Sequence, residues 1–271
     1  MANYAARFRA CTNMPGFETV TPALIAWIAA IVLFSGVVQG SLGLGFPTVA
    51  TPLIALATDI RTAVIIVLIP CIATVTTSLL RSGFLRQALA EFWMMPFYML
   101  IGAALGTRLF IAFPEFPYAL LLAGIILVYL NLDRLGRGEW KRVRKHKRAF
   151  GVIFGVTAGI SEGTANVAAP PLVIYYLALG VQPTTLVQAM NICFIAGKST
   201  QFVTLATAGG VTALQWAMTL PFAVVGSAGA WYGTRIRDRI DAPTYRRWLR
   251  GALYAIAGIL IGQYAYGWAT Q

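Results

Sequence analysis

The stretches of this chain that lack charge are too long for the interior of a soluble domain. No Asp, Glu, Lys or Arg occurs between Thr19 and Thr58, a run of forty residues. A helix that crosses the hydrocarbon core of a bilayer needs about 20 mainly apolar residues, so this run has room for two such segments. Other uncharged stretches are residues 62–80, 92–107, 116–132, 149–161, 163–197, 199–234 and 251–271. With 58% hydrophobic and 11% charged residues, the chain is predicted to be an all-α polytopic membrane protein, and a soluble or disordered chain is excluded.

The positive charge of the chain is concentrated in two short segments. The formal net charge is +12, which in a soluble protein would suggest a nucleic-acid partner. Residues 133–148 hold eight Lys or Arg against two acids, and residues 235–250 hold six Arg against two acids. Short basic loops between membrane segments stay in the cytoplasm. We therefore expect an inner-membrane protein with both segments cytoplasmic, in contact with the lipid bilayer and without a nucleic-acid partner.

The sequence contains an internal duplication. At an offset of 119 residues, segment 36–53 matches segment 155–172 at glycine, valine, alanine, proline and leucine positions. The pairs "PF" and "GTR" recur in the same order, at 96–97 and 106–108 and again at 221–222 and 233–235. We interpret the chain as a tail (1–21), a first transmembrane repeat (22–132), a basic cytoplasmic linker (133–148) and a second repeat (149–268).

Each repeat is predicted to contain five helical segments. Those of the first repeat are residues 22–40, 44–57, 62–80, 92–111 and 117–132. Those of the second are residues 149–161, 166–180, 185–207, 212–234 and 249–268. Because five is odd, the second repeat enters the membrane from the opposite side, which gives inverted repeats of 8–10 transmembrane or re-entrant helices. Inverted repeats are typical of secondary transporters, which bind substrate between the repeats, often at broken helices.

The segment "QGSLGLGFPTVATP", residues 39–52, places three glycines and two prolines inside a predicted membrane segment. Irregular backbone occurs at this depth only where protein covers it or where it lines a watery cavity. We expect a break between two half-helices at residues 40–47, with Pro47 in the first turn of the second half-helix. A similar break is expected at residues 161–171, in "SEGTANVAAPP". Candidate caps for the half-helix that follows it are Ser161, Thr164 and Asn166.

The two breaks predict an anion-binding site. A helix N-terminus carries about half a positive charge and several free N–H groups, so two converging N-termini would hold an oxyanion. The alternative is close helix packing through small residues, as in any polytopic bundle. The residues expected to contact substrate at the breaks are Gln39, Gly43, Gly45, Phe46, Gly163, Thr164 and Asn166.

Two charged residues, Glu162 and Lys198, interrupt otherwise uncharged stretches. A charge at the centre of a bilayer costs about 2.5–3.5 kcal/mol on insertion scales, so it normally faces a cavity or a partner. Three interpretations are open: a structural ion pair, an anion-binding Lys198 beside a Glu162 that takes up a coupling proton, or a side chain that reaches an interface. Asn191 lies on the same face of the predicted helix as Lys198 and is a further candidate substrate contact.

The broken motifs resemble those of the sulfite exporter TauE/SafE family, also called the toluenesulfonate uptake permease family. The resemblance is carried by "GSLGLGFPTVATPLIAL" and "GISEGTANVAAPPLVIYYLALG", and by the length and duplicated layout of the chain. It implies transport of sulfur-containing or carboxylate anions. The second motif is less rich in glycine than is common in the family, since Glu162, Thr164 and Asn166 stand where many members have small residues.

These observations predict a secondary transporter of a small sulfur-containing anion, such as sulfite, sulfoacetate or another sulfonate, working by alternating access. An anion channel or a carboxylate transporter on the same scaffold is the alternative. A membrane-embedded enzyme is a third possibility, but the sequence has no His/Cys/Asp constellation for acid–base or metal chemistry. No cofactor and no metal are expected.

Overall fold

The computed structural model describes residues 21–43, 45–81, 85–113, 140–209 and 211–237, with scattered residues of 116–131 and 244–262. Helices of the first half are α1 (Pro22–Leu42), α2 (Phe46–Ala55), α3 (Ile60–Arg81), α4 (Leu85–Phe92) and α5 (Met94–Ala112). Helices of the second half are α6 (Trp140–Lys145), α7 (Lys147–Ala165), α8 (Ala169–Leu179), α9 (Pro183–Thr207), α10 (Ala213–Met218) and α11 (Leu220–Arg237). The predicted segments 117–132 and 249–268 fall largely outside the described residues.

The described part of the chain is all-helical, as predicted, and several of its helices have the length of membrane-spanning helices. Helices α1, α3 and α5 are long and apolar enough to cross a membrane. Helices α2 and α8 are apolar but have only 10 and 11 residues, so each is about 15–17 Å long and covers about half of the hydrocarbon core. Large apolar side chains such as Phe34, Phe97 and Val224 are exposed, as expected of surfaces that face lipid.

The helix ends that flank the two breaks recur at an offset of 123 residues between the halves. Helices α1 and α7 end at 42 and 165, α2 and α8 begin at 46 and 169, and α3 and α9 begin at 60 and 183. The offset of 119 predicted from the sequence is therefore wrong by four residues. The reason is that glycines recur every four positions along α1 and α7, so a slip of about one helical turn still matches glycine to glycine. In the structural register Gln39 corresponds to Glu162.

The recurring glycines bring two pairs of helices into close contact. Helix α1 packs along α11, and α7 packs along α5. A Cβ on Gly40 would collide with the backbone of Ala230 on α11, and a Cβ on Gly163 would collide with the backbone of Thr107 on α5. Helix α1 of the first half therefore lies against α11 of the second, and α7 of the second half lies against α5 of the first, through the small-residue packing common in membrane bundles.

Candidate functional site

Both predicted breaks are present, and both are shorter than expected. Helix α1 continues to Leu42 and ends at Gly43, whose φ of 72° is left-handed and whose N–H donates to Gln39 O. Helix α2 begins after Gly45, which has φ 113°, and Pro47 lies in its first turn, as predicted. The first break therefore covers only residues 43–45 instead of 40–47. Leu44 lies outside the described residues.

The second break covers residues 166–168 instead of 161–171. Helix α7 ends at Asn166, the only non-glycine residue with a positive φ (62°) in the described part of the chain. Its N–H donates to Glu162 O, and the N–H of Val167 donates to Ser161 O, the bonding pattern of a helix C-terminus that glycine usually closes. Asn is the residue that best replaces glycine in this conformation, because its short polar side chain can bond locally.

The predicted caps of the half-helix after this break are wrong. The N-cap of α8 is Ala168, and no side chain bonds to the helix there. The Thr164 hydroxyl donates to Ile160 O within α7, and Asn166 caps the end of α7 instead of the start of α8. Ser161, Glu162, Gly163 and Thr164 are all helical residues of α7, because the helix runs four residues further than the predicted segment.

The starts of α2 and α8 offer fewer free N–H groups than ordinary helix N-termini. The N–H of Phe46 already donates to Gln39 Oε1 at 3.1 Å. Pro47, Pro170 and Pro171 have no N–H to offer. Since a helix N-terminus normally presents four unpaired N–H groups, backbone donors alone hold little capacity for an anion here, and charged or amide side chains become the more important candidates.

The first break is held to helix α9 by a buried pair of amides. The Gln39 amide donates to Asn191 Oδ1 at 3.0 Å, and both side chains are fully buried. Gly43 lies against Val187 on the same helix, where a Cβ would collide with the valine side chain. Gln39 therefore accepts a hydrogen bond from the free N–H of Phe46 and also ties the break to α9. These two bonds occupy the oxygen and the nitrogen of the Gln39 side chain, which could otherwise bind a ligand.

Beside the second break lies a buried ion pair between helices α7 and α9. The Nζ of Lys198 lies 2.6 Å from Oε1 of Glu162, and both side chains are almost completely shielded from solvent. Lys198 also donates to Asn166 Oδ1 and, at 3.0 Å, to Gln201 Oε1. An ammonium group has three N–H donors, so these three acceptors use all of them.

The same group of side chains reaches helix α2. The Asn166 amide donates to Thr51 Oγ1 at 2.6 Å. A chain of polar contacts therefore runs from Lys198 on α9, through the second break, to the half-helix that follows the first break. Sequence reasoning missed both Thr51 and Gln201. The signal for Gln201 was available, because it lies three residues after Lys198 and so on nearly the same face of α9.

Helix α9 carries the polar residues of both breaks on one side. In order they are Gln188, Asn191, Lys198 and Gln201, all at most 1% exposed. The side-chain amide of Gln188, Nδ2 of Asn191 and Oε2 of Glu162 have no hydrogen-bond partner among the described residues. Because buried polar groups are normally paired, these orphaned atoms are positions along α9 and α7 where water or a polar ligand could bind.

The predicted site residues thus fall into two groups and a remainder. Gln39 meets Asn191 at the first break, and Glu162, Asn166 and Lys198 meet at the second. Asn191 and Lys198 are seven residues apart, about 10 Å along α9, and each lies within about 6 Å of its middle. The other predicted residues have structural contacts: Gly163 packs on α5, Thr164 bonds within α7, Gly43 and Gly45 belong to the first break, and Phe46 begins α2.

The comparison with known families agrees with this architecture. A family model described as sulfite exporter TauE/SafE matches residues 28–260 of the 271 residues. The chain belongs to the sulfite exporter TauE/SafE family. No curated protein and no solved structure matches it. As a TauE/SafE protein it is a multi-pass membrane protein of a transporter family, and both broken motifs and the ion pair lie within the matched residues.

Proposed function

We propose that this protein is a secondary transporter that carries a small sulfur-containing anion, sulfite or an organosulfonate such as sulfoacetate, across the cytoplasmic membrane. The observation that carries the proposal is the buried Lys198, a cation near the middle of the 25-residue helix α9 and close to a helix break. Family membership supplies the class of substrate. The residues around Lys198 supply the means of binding and releasing it.

Two arginines that share one aromatic ring bear on the relative orientation of the two halves. Arg81 at the end of α3 and Arg235 near the end of α11 both stack on the ring of Trp231, at 5.1 and 3.6 Å from its centroid. These arginines therefore share one end of the bundle. Arg235 begins the basic segment 235–250, which is expected to be cytoplasmic, so Arg81 would lie at the cytoplasmic end as well. The contact supports an arrangement in which the second half is inverted relative to the first.

Substrate binding follows from the charge of the ion pair. A sulfite or sulfonate anion and the Glu162 carboxylate are both acceptors for the Lys198 ammonium, so they compete for the same three N–H donors. We infer that the anion binds by replacing Glu162 at Lys198. The unpaired amide groups of Asn191 and Gln188 lie about 10 and 15 Å further along the same helix, so they would line the path of the anion and not the shell around the group held by Lys198.

Once the anion has replaced Glu162 at Lys198, the Glu162 carboxylate is left buried without a counter-charge. A buried carboxylate without a counter-charge is strongly unfavourable, and such a group becomes neutral by taking up a proton. Binding of the anion and protonation of Glu162 are therefore linked in this proposal. The linkage makes proton-coupled transport the expected mode, and the empty carrier keeps Lys198 neutralised by Glu162.

Access of the anion to its site from either side of the membrane would require some contacts between helices to break and re-form, and side-chain hydrogen bonds are the ones best suited to this. Helix pairs α1–α11 and α5–α7 are locked by backbone contacts at glycines and would move as units. The contacts Gln39–Asn191, Lys198–Asn166 and Asn166–Thr51 join different helices through side chains only. Alternating access of this kind, with the site at the repeat interface, is the usual mechanism for inverted-repeat transporters.

The experiment is transport by purified protein in liposomes. Proteoliposomes loaded with unlabelled sulfoacetate or sulfite should accumulate labelled substrate against its gradient by counterflow, and uptake should saturate. Flux without counterflow would indicate the anion channel. Uptake of small dicarboxylates but of no sulfur-containing anion would indicate the carboxylate transporter. Formation of a chemically altered product in detergent would indicate an enzyme, and absence of any anion transport by folded protein would overturn the proposal.

A further inference from the structure

A second candidate binding site lies away from the ion pair, at the end of the bundle where α6 and α7 begin. It is a partly open cavity of about 440 Å³ between α4–α5 and α6–α8. Residues of three kinds line it: basic, aromatic and apolar. Those that carry the argument are Trp93, Met94, Tyr98, Arg144, Lys147 and Arg148.

Among the described residues, the lining of the cavity has an excess of positive charge. Arg144, Lys147 and Arg148 face a single acid, Glu91. Arg144 is held in place because its Nε donates to Ala178 O, at the end of α8. Within the described residues no ion pair engages Lys147 or Arg148. Lys147 and Arg148 lie in the first turn of α7, where positive side chains oppose the helix dipole. An anion in the cavity would therefore offset both the repulsion between these cations and their repulsion by the dipole.

The wall opposite these cations is apolar and reaches the lipid-facing surface. Trp93 is 56% exposed and Met94 is 36% exposed, next to Phe97, another exposed aromatic of α5. The Tyr175 hydroxyl on α8 donates to Lys147 O at 2.9 Å, which joins two of the helices that line the cavity. A small water-soluble anion in the cavity would contact only the basic side chains. A molecule with an anionic headgroup and apolar chains would contact the basic side chains with its headgroup and the apolar wall with its chains.

We propose that this cavity binds the headgroup phosphate of an anionic phospholipid, with the acyl chains lying along Trp93 and Met94. Basic pockets between membrane helices on the cytoplasmic side suit such headgroups, and Trp is favoured at the same level of the membrane. The site is separate from the ion pair at Lys198, so the two proposals are independent. Lipid binding can be measured without transport, and failure of one leaves the other standing.

The test compares two double variants that remove the same charge. Lys147→Gln/Arg148→Gln removes two cations from the cavity wall, and Lys141→Gln/Lys145→Gln removes two exposed cations of α6 that do not line it. Binding of phosphatidylglycerol and phosphatidylcholine to the detergent-solubilised full chain is measured by native mass spectrometry. A cation near a headgroup contributes about fivefold in affinity, so the cavity variant should lose about 25-fold for phosphatidylglycerol.

The wild-type protein should prefer phosphatidylglycerol to phosphatidylcholine, and the α6 variant should stay within about twofold of wild type. Equal losses in both variants would mean diffuse attraction to a basic surface and would overturn the site. So would an absence of preference between the two lipids. Glycerol phosphate is the soluble control: if it binds as tightly as phosphatidylglycerol, the cavity takes free anions and the lipid assignment is wrong. Arg148→Gln alone, expected to lose about fivefold, replaces the cavity variant if that variant does not fold.

Discussion

The carboxylate of Glu162 and the ammonium of Lys198 lie 2.6 Å apart, both in the buried interior of the bundle. Glu162 stands in the last turn of α7 and Lys198 in the middle of α9. At the equivalent position of the first half, α1 has the neutral Gln39, which bonds to Asn191 on the same helix α9. The two breaks are therefore attached to α9 in related ways, but only the second attachment carries charge, and this asymmetry is the reason for proposing that the anion binds beside the second break.

Replacement of Lys198 by Met should remove transport while preserving most of the packing, because Met has a similar length and no charge. A hydrogen bond to a charged group contributes about 1.5–3 kcal/mol, so the affinity for sulfoacetate should fall by about 10- to 100-fold. Labelled sulfoacetate uptake in proteoliposomes and tryptophan fluorescence titration measure the two effects. Uptake at the wild-type rate would exclude Lys198 from the binding site.

The stability of that variant needs a matched control, because removal of one member of a buried pair destabilises a protein by about 3–5 kcal/mol. The double variant Lys198→Met/Glu162→Gln leaves no unpaired charge and should melt closer to wild type in detergent. It should still fail to transport. If the double variant recovers both stability and transport, the pair is purely structural and the anion binds elsewhere.

Replacement of Glu162 by Gln should separate binding from coupling. The neutral amide no longer competes as a charge for Lys198, so a sulfonate should bind more tightly, by about tenfold if the released competition is about 1.4 kcal/mol. The variant has no carboxyl group to protonate, so proton movement should no longer accompany substrate. A pH-sensitive dye inside the proteoliposomes measures this. Unchanged proton flux with normal substrate uptake would rule out Glu162 as the coupling group.

The sequence predicted the all-helical membrane class, the two breaks, the burial of Glu162 and Lys198 and the family, and the structure and comparison confirm these. The strength of these signals is physical. A forty-residue uncharged run permits few folds other than membrane helices, and glycine with proline at membrane depth requires a local interruption. Such signals depend on residue type alone and need no knowledge of neighbouring helices.

The details that were wrong or missed depend on three-dimensional contacts. The repeat offset of 119 matched glycines one turn too early, because Gly155, Gly159 and Gly163 are equally spaced and only helix ends fix the register at 123. Helix α7 ends where Asn166 adopts a left-handed conformation. Asn is favoured both at such helix ends and at the N-cap of a following helix, so the residue type alone did not decide between the two. Thr51 joined the site through Asn166, more than a hundred residues away in the chain.

The glycine contacts between α1 and α11 predict a strong dependence of folding on Gly40. A valine there would force its Cβ into the backbone of Ala230, and backbone cannot move aside as a flexible side chain can. Overpacking a well-packed interior typically costs about 1–3 kcal/mol, so Gly40→Val should lower the melting temperature in detergent or prevent purification. Gly258→Val is the control, since an added Cβ there meets no atom within 4 Å. Equal stability of the two variants would mean that α1 and α11 are not in this contact.

Two substitutions at Asn166 should separate its backbone role from its side-chain role. Asn166→Gly preserves the left-handed φ of 62° at no steric cost and removes the side-chain bonds to Lys198 and Thr51. Asn166→Ala removes the same bonds and adds about 1–2 kcal/mol of backbone strain. If the side chain takes part in the site, both variants should lose sulfoacetate binding to a similar extent, while the alanine variant alone shows the additional drop in melting temperature. Retained binding in the glycine variant together with loss in the alanine variant would show that Asn166 serves only to end α7, and the binding contacts would then reduce to Lys198 and the amides of α9.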